Sequence, residues 1–224
     1  MRPQQVLILG LLLLVPVLAF LFLFGFGTNH FALPTYYPVR VDSTQVGGKW
    51  QRDTVFHRVG NFRLQDQRGQ TVSQRDLSGS VYVASFFFAT CPQVCPRLNT
   101  QLQRVQEKFR KEERLKLVSY TVDPQHDSVA VLADYGRQFG ATPGKWFLLT
   151  GSKDSINRLA VEQYKVLTPG PSMLAGTVGL MHSQRLLLVD RDQHIRGMYD
   201  GLDPKEIDRL MTEIRILLYT YDHQ

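Results

Sequence analysis

The chain opens on an apolar run, Val6 to Phe26, that contains neither a charge nor a polar period. Its 21 residues, at about 1.5 Å of rise each, match the roughly 30 Å hydrocarbon thickness of a bilayer. The run closes in "FLFLFGFGTNHF", bulky and aromatic, without the small residues that precede a signal cleavage site. This predicts a retained transmembrane anchor over 6–27, with residues 1–5 ahead of it. Arg2 precedes the run and the next basic residue is Arg40, so the N-terminus is expected in the cytoplasm and residues 28–224 outside it. The short leader leaves no room for an Arg- and Ser-rich transit peptide. The run also lacks a cysteine at its end, which argues against lipoprotein processing. The expected location is the inner (cytoplasmic) membrane of a bacterium, single-pass, with the folded part facing the periplasm or cell exterior.

Beyond the anchor, residues 28–48 mix prolines and aromatics without a period and end in Gly47-Gly48, which reads as a tether. Regular patterns begin at Lys49. Short alternating segments flank "DQRG" and suggest a small hairpin. "VYVASFFFA", Val81 to Ala89, is nearly continuous β-branched and aromatic residue, as expected of a central strand buried on both faces. Leu98, Leu102, Val105 and Phe109 then recur at helical spacing. "LKLVSYTV" predicts a second strand, and "SVAVLADYGRQFG" a helix that stops at Gly140. "KWFLLTG" predicts a third strand, followed by a helix capped by Ser152 and running to Tyr164. "RLLLVD" and "HIRGMYDG" form a hairpin. The last helix has Asp203 as N-cap, Pro204 in its first position and Glu206 in a capping-box-like place. Alternating strands and helices, then an antiparallel hairpin and a terminal helix, predict a thioredoxin-like α/β domain over 49–220, with 221–224 as a tail.

Charge adds an exclusion. The net charge is +6, but the basic residues are interleaved with acids, as in "QRVQEKFRKEERLK", the pattern of a solvated helix face. A nucleic-acid surface would need a one-sign stripe with aromatic platforms. The predicted domain is large enough to fold around its own core without disulfides.

The two cysteines of the chain, Cys91 and Cys95, therefore stand out. A bond between them would close a tiny loop and add little stability, so the pair reads as chemistry in preference to scaffold. They follow the buried strand at the start of a helix, where unpaired backbone N–H groups and the helix dipole favour thiolates. With Cys95 as N-cap, Pro96 falls at the favoured first helical position and "CPQV" forms a loop bringing Cys91 beside Cys95. Two soft thiolates held close suit Cu(I) or Zn(II), and equally suit disulfide formation. A metal would want a third ligand. His182, just before the late strand, is the candidate by position; His57 and His126 are weaker, and His30, His194 and His223 are poorly placed.

Three segments in order resemble the SCO/SenC family of membrane-anchored copper proteins. They are "FFFATCPQVCP", "TVDPQHDSVAVLADYGRQFG" and "HSQRLLLVDRDQHIRGMYDG". The resemblance implies copper binding by Cys91, Cys95 and His182. It also implies copper delivery to the dinuclear centre of cytochrome c oxidase subunit II, with a separate copper donor or thiol reductant as partner. Many family members carry an acid directly before the histidine, where this chain has Met181. Such an acid could orient the imidazole. Met173 and Met181 are soft thioethers near the candidate site, though gap-filling is the commoner use of methionine. Asp123 and Asp127 follow the second strand, where turn-making and helix capping account for Asp127 and Asp123 stays open. A chaperone needs no turnover. The competing function is a thiol–disulfide oxidoreductase in which Cys91 and Cys95 are the redox-active pair that reduces client cysteines before metallation. Peroxidase chemistry is disfavoured, since Phe88 and Ala89 occupy the place of the threonine it needs.

Overall fold

The computed structural model describes residues 3–26, 32–166 and 184–223. His182, Met173, Met181 and His30 lie outside the described residues. The chain divides into two compact units, Met1–Ala32 and Leu33–Gln224. In the first, helix α1 (Pro3–Phe26) carries Pro16 within it. Its Pro3–Phe22 stretch has a mean hydropathy of 2.7 and is long and apolar enough to cross a membrane.

The second unit is built on a five-stranded mixed sheet in the order β7-β6-β5-β8-β9. The strands are β5 (Val81–Phe87), β6 (Leu115–Thr121), β7 (Trp146–Leu149), β8 (Arg185–Val189) and β9 (Ile195–Asp200). β5 runs parallel to β6 and β6 to β7, while β8 is antiparallel to both β5 and β9. All seven residues of β5 are buried, as its nearly continuous apolar run requires of a central strand, with the Ser85 hydroxyl satisfied 2.8 Å from that of Ser119. Helices α2 (Val94–Lys108), α3 (Val129–Gln138), α4 (Lys153–Arg158) and α5 (Pro204–Asp222) complete the layers. The result is the thioredoxin-like plan the element order predicts. The core lies wholly within the second unit, from Leu33 to Leu218.

Local signals explain most boundaries. Ser128 caps α3 by accepting from the Val131 N–H, and Gly140 takes a φ of +64° just past its end. Ser152 caps α4 in the same way, and the chain continues through a wider turn to Tyr164. The hydroxyl of Tyr164 lies 3.1 Å from that of Tyr82 and 2.8 Å from that of Tyr120, all three buried. This buried chain pins the residues that lead up to position 166. A small hairpin, β3 (Arg63–Gln65) with β4 (Thr71–Ser73), forms around the "DQRG" turn.

Three expectations need correction. The segment read as a tether over 28–48 is regular in its second half. There, β1 (Pro38–Val46) pairs antiparallel with β2 (Lys49–Phe56) across Gly47-Gly48. α2 is capped by Gln93, not Cys95, so Pro96 is its third residue. Proline is tolerated there because the first-turn N–H groups have no intrahelical partner anyway. Glu206 closes no capping box; it pairs with Arg209 at 2.6 Å, while Asp203 accepts from the Lys205 N–H.

Candidate metal site

The cysteine turn begins where β5 leaves the sheet. Cys91 N–H bonds the Phe88 carbonyl at 3.2 Å, which folds the chain back on itself directly after the strand. Pro92 and Gln93 then pass through solvent before α2 starts. The second contact is the informative one. The Cys95 N–H donates to Cys91 Sγ at 3.2 Å, so the first sulfur sits over the open end of α2, on donors the helix cannot use itself. The two cysteines thus share one turn, 5% and 2% exposed, and are not joined in a disulfide.

Helix position alone favours thiolates, but burial wins for Cys95. Desolvation, followed by its hydrogen bond with Cys91, pushes the Cys95 thiol well above its ordinary value. At neutral pH it is therefore protonated. Any soft cation that binds here must displace that proton, and loading becomes coupled to pH.

The surroundings are more polar than the sequence suggests. Asp127, read as a turn or capping residue, closes the turn with its N–H on the Asp123 carbonyl at 2.9 Å, but Ser128 is the cap of α3. The Asp127 carboxylate turns inward, accepting from the Ala89 N–H at 3.0 Å and from the Thr121 hydroxyl. It clamps the segment ahead of Cys91 to the end of β6, beside the Val122-to-Phe87 backbone bond of 2.8 Å. Burial raises its pKa, opposed by these two hydrogen bonds. Asp123, left open by the sequence, pairs with the exposed His126 at 2.7 Å. On the other side, Tyr135 stacks on Phe87 with centroids 5.1 Å apart and accepts from Asn99 Nδ2 at 2.7 Å. Burial, then the proximity of Cys95 and Cys91, raises its hydroxyl pKa. Asn99 Oδ1 and Asp127 Oδ1 are buried without a hydrogen-bond partner among the described residues.

Sequence reasoning missed Asn99 and Tyr135. Asn99 follows Cys95 by four residues in a helix and so shares its face, a signal that was available. Tyr135 had none, since its approach depends on how α3 packs. Of the weaker histidine candidates, His57 contacts the Gln163 carbonyl at 2.8 Å and His126 pairs with Asp123, while His194, poorly placed from the start, lies beside Asp190; none of them joins the cysteines. Among the described residues, no group of three or more metal-binding side chains forms.

The approach of β8 to this turn can be read from the sheet. Ala84 pairs with Leu187, so the start of β8 lies toward the end of β5 that leads into Cys91. Gly201 joins the two regions. A Cβ there would fall 2.0 Å from Leu98 Cδ1 and 2.8 Å from the Gln184 carbonyl. Leu98 is three residues after Cys95, and Gln184 immediately precedes β8. The Gly201 N–H holds that carbonyl at 2.8 Å.

Comparison with known proteins agrees with this architecture. The family model described as SCO1/SenC matches residues 51–218. A SCO1 protein homolog from Bacillus subtilis is 26% identical over 171 residues, covering 75% of this chain and 87% of that protein. The solved structure of BsSco, described as having a disulfide switch and as a member of the Sco family of cytochrome c oxidase assembly proteins, superposes with a TM-score of 0.62. It is 26% identical and covers 72% of this chain and 93% of its own. The copper-bound ScoI of Arabidopsis thaliana has a TM-score of 0.56 at 26% identity, covering 70% and 97%. With three quarters of its length matched by the family model, from the β1–β2 hairpin to the last helix, the chain belongs to the SCO1/SenC family.

Proposed function

We propose that this protein is a membrane-anchored copper chaperone that binds one copper ion through Cys91, Cys95 and His182. In this reading it delivers that ion to the dinuclear centre of cytochrome c oxidase subunit II. The observation that carries it is the buried turn in which Cys95 N–H holds Cys91 Sγ at 3.2 Å. It presents two soft donors from one loop, suited to Cu(I). The close approach of Gly201 to both Leu98 and the Gln184 carbonyl supports His182 as the third donor, since residue 184 follows it by two. Copper bound to a structural relative of 26% identity supports the choice of metal. α1 supports anchoring beside a membrane-bound client; the reading that the domain lies outside the cytoplasm rests on Arg2 before the apolar run, with no further Lys or Arg until Arg40.

The chemistry follows from the donors. The Cys95 proton leaves as copper arrives, so loading releases a proton and is favoured as pH rises. Two thiolates and one imidazole leave the ion open on one side, so a client thiolate can add before a chaperone ligand departs. Delivery then proceeds by ligand exchange, with no net change in oxidation state.

A second reading has its own observation. Cys91 and Cys95 share one turn, with the Cys95 N–H on Cys91 Sγ at 3.2 Å and no disulfide between them, and BsSco is described as having a disulfide switch. The pair could reduce a client disulfide, with one cysteine attacking, the other resolving the mixed disulfide, and the two electrons passing to the client. Copper stoichiometry under chelator competition separates the readings, using the reduced full chain with Cys91→Ser, Cys95→Ser and His182→Ala. The chaperone reading expects one copper per chain, weakened by more than about 100-fold in each cysteine variant and at least about 10-fold in His182→Ala. Undiminished copper binding by His182→Ala removes the three-donor site and leaves the redox pair as the better account.

A further inference from the structure

Among the described residues, the β1–β2 hairpin stands out because little packs on it beyond its base. From Pro38 to Asp53 its described side chains lie largely in solvent on both faces. A lone two-stranded ribbon is at best marginally stable in water. At its base it is tied in: the Tyr37 carbonyl accepts from the His57 N–H at 2.9 Å. At its tip, Gly47 and Gly48 take φ values of +59° and +80°, a tight turn that suits the twist of the two strands.

The exposed residues are of a particular kind. Gln45 faces Trp50, Ser43 faces Arg52 and Val41 faces Thr54, so alternation puts Val41, Trp50 and Arg52 on one face. Trp50 is 72% exposed and Val41 57%, with Val39 at 65% beside the register shift near the base. An exposed Trp flanked by an Arg and β-branched apolar residues suits a membrane–water boundary, where an amphipathic ring and a long cationic side chain are both satisfied.

We propose that this hairpin docks on the anionic headgroup surface of the membrane that holds α1. The inference rests on the anchored reading above. Chain length supports the occupant: from Phe26 to Leu33 there are seven residue steps, at most about 25 Å of chain. Leu33 is fixed to the domain, since its carbonyl accepts from Arg196 at 2.5 Å and the Tyr36 N–H bonds the Ile195 carbonyl at 2.9 Å. The hairpin therefore stays on a short leash, at high effective concentration against the lipid. Charge points the same way. The chain carries +6 overall, and of its basic side chains only Arg2 precedes the leash, so the part beyond it is positive. An anionic surface attracts it.

Trp fluorescence tests this, because the chain has two tryptophans and the other, Trp146, is buried and donates to Ser119 Oγ at 3.0 Å. The full chain carrying Trp146→Phe is reconstituted in vesicles of phosphatidylglycerol with phosphatidylcholine, or of phosphatidylcholine alone, with and without brominated acyl chains. The expected result in the anionic vesicles is a blue-shifted Trp50, protected from iodide and quenched at least twofold by bromine. Val41→Asp in the same background returns it to the emission of a solvated indole. Trp50 equally open to iodide in both vesicle types overturns the proposal, as does equal quenching in neutral vesicles. Protection that grows with protein density and ignores bromination also overturns it, in favour of a second copy. Should Trp146→Phe fail to fold, the difference between the unmodified chain and Trp50→Phe reads the same signal. Flotation keeps the two readings apart. A chain that does not float with the vesicles refutes the anchor, whereas one that floats with a solvated Trp50 refutes only the docking.

Discussion

β5 and the β1–β2 hairpin are ladders of similar length with opposite surroundings. Every residue of β5 is buried between parallel β6 and antiparallel β8, whereas the distal hairpin pairs only with itself. The difference shows where precision comes from in this molecule. β5 delivers Cys91 to a fixed position because its strand has no alternative place to go, and Asp127 then clamps the residue two before it. The hairpin has a defined turn and register, but among the described residues little packs on its distal part to define its outlook. One region positions chemistry; the other offers a surface.

That contrast can be broken at several points. Removing the clamp has the largest expected effect on stability. Asp127→Ala leaves the half-buried Ala89 N–H and the buried Thr121 hydroxyl without their acceptor. It should cost about 2–4 kcal/mol in denaturant unfolding, given about 1–3 for each group left unsatisfied. A loss under about 0.5 kcal/mol would mean that the turn before Cys91 is not held this way. Gly201→Ala presses a methyl onto Leu98 and the Gln184 carbonyl, and overpacking of this kind costs about 1–3 kcal/mol. The same variant should weaken copper binding, since it moves the start of β8 against the start of α2. The measurement is a melting curve paired with a copper titration.

A smaller effect comes from Lys145, whose amine donates to the Phe109 carbonyl at 2.9 Å and to that of Glu112. Burial lowers its pKa to about 8. Below that pH the amine is charged in both folded and unfolded chains, and the cost of burying the charge is fully present. As pH rises from about 8 toward its ordinary value near 10.4, the folded state gives up the proton first and the cost is relieved. Stability relative to Lys145→Met should therefore rise across that window, and a flat difference would contradict the assignment. The smallest effect belongs to the hairpin. Gly48→Val strains a residue at positive φ and should disorder the tip. Among the described residues nothing lies within 4 Å of a Cβ at Gly48, so the unfolding free energy should shift by no more than about 0.5 kcal/mol. A larger loss would show that the hairpin supports the core after all.

How much of this could be read from the chain depended on whether the signal was local. β5 was legible because six of its seven residues are apolar or aromatic, with Ser85 the one small polar interruption. The last helix was legible because Asp203-Pro204 marks its start chemically. β1 was not, because "PVRVDSTQV" mixes proline, charge and small polar residues, as a ribbon solvated on both faces does. The Gly47-Gly48 pair was the one clue, and it reads equally well as the end of a tether. The start of α2 moved by two residues because the Cys91 sulfur, not the Cys95 side chain, takes up a helix-end donor. Asp127 looked like a cap since Ser128 beside it is one. Its inward turn is decided by Ala89, 38 positions away. The cysteine pair and its chemistry were visible in the sequence, whereas the polar shell around it is a product of packing.

X-ray absorption at the copper edge of the loaded full chain tests the central claim most directly. Two sulfur donors and one imidazole nitrogen are expected, with the nitrogen signal lost in His182→Ala and one sulfur lost in Cys95→Ser. An imidazole signature that persists in His182→Ala, or fewer than two sulfurs in the unmodified chain, would contradict the three-donor copper site.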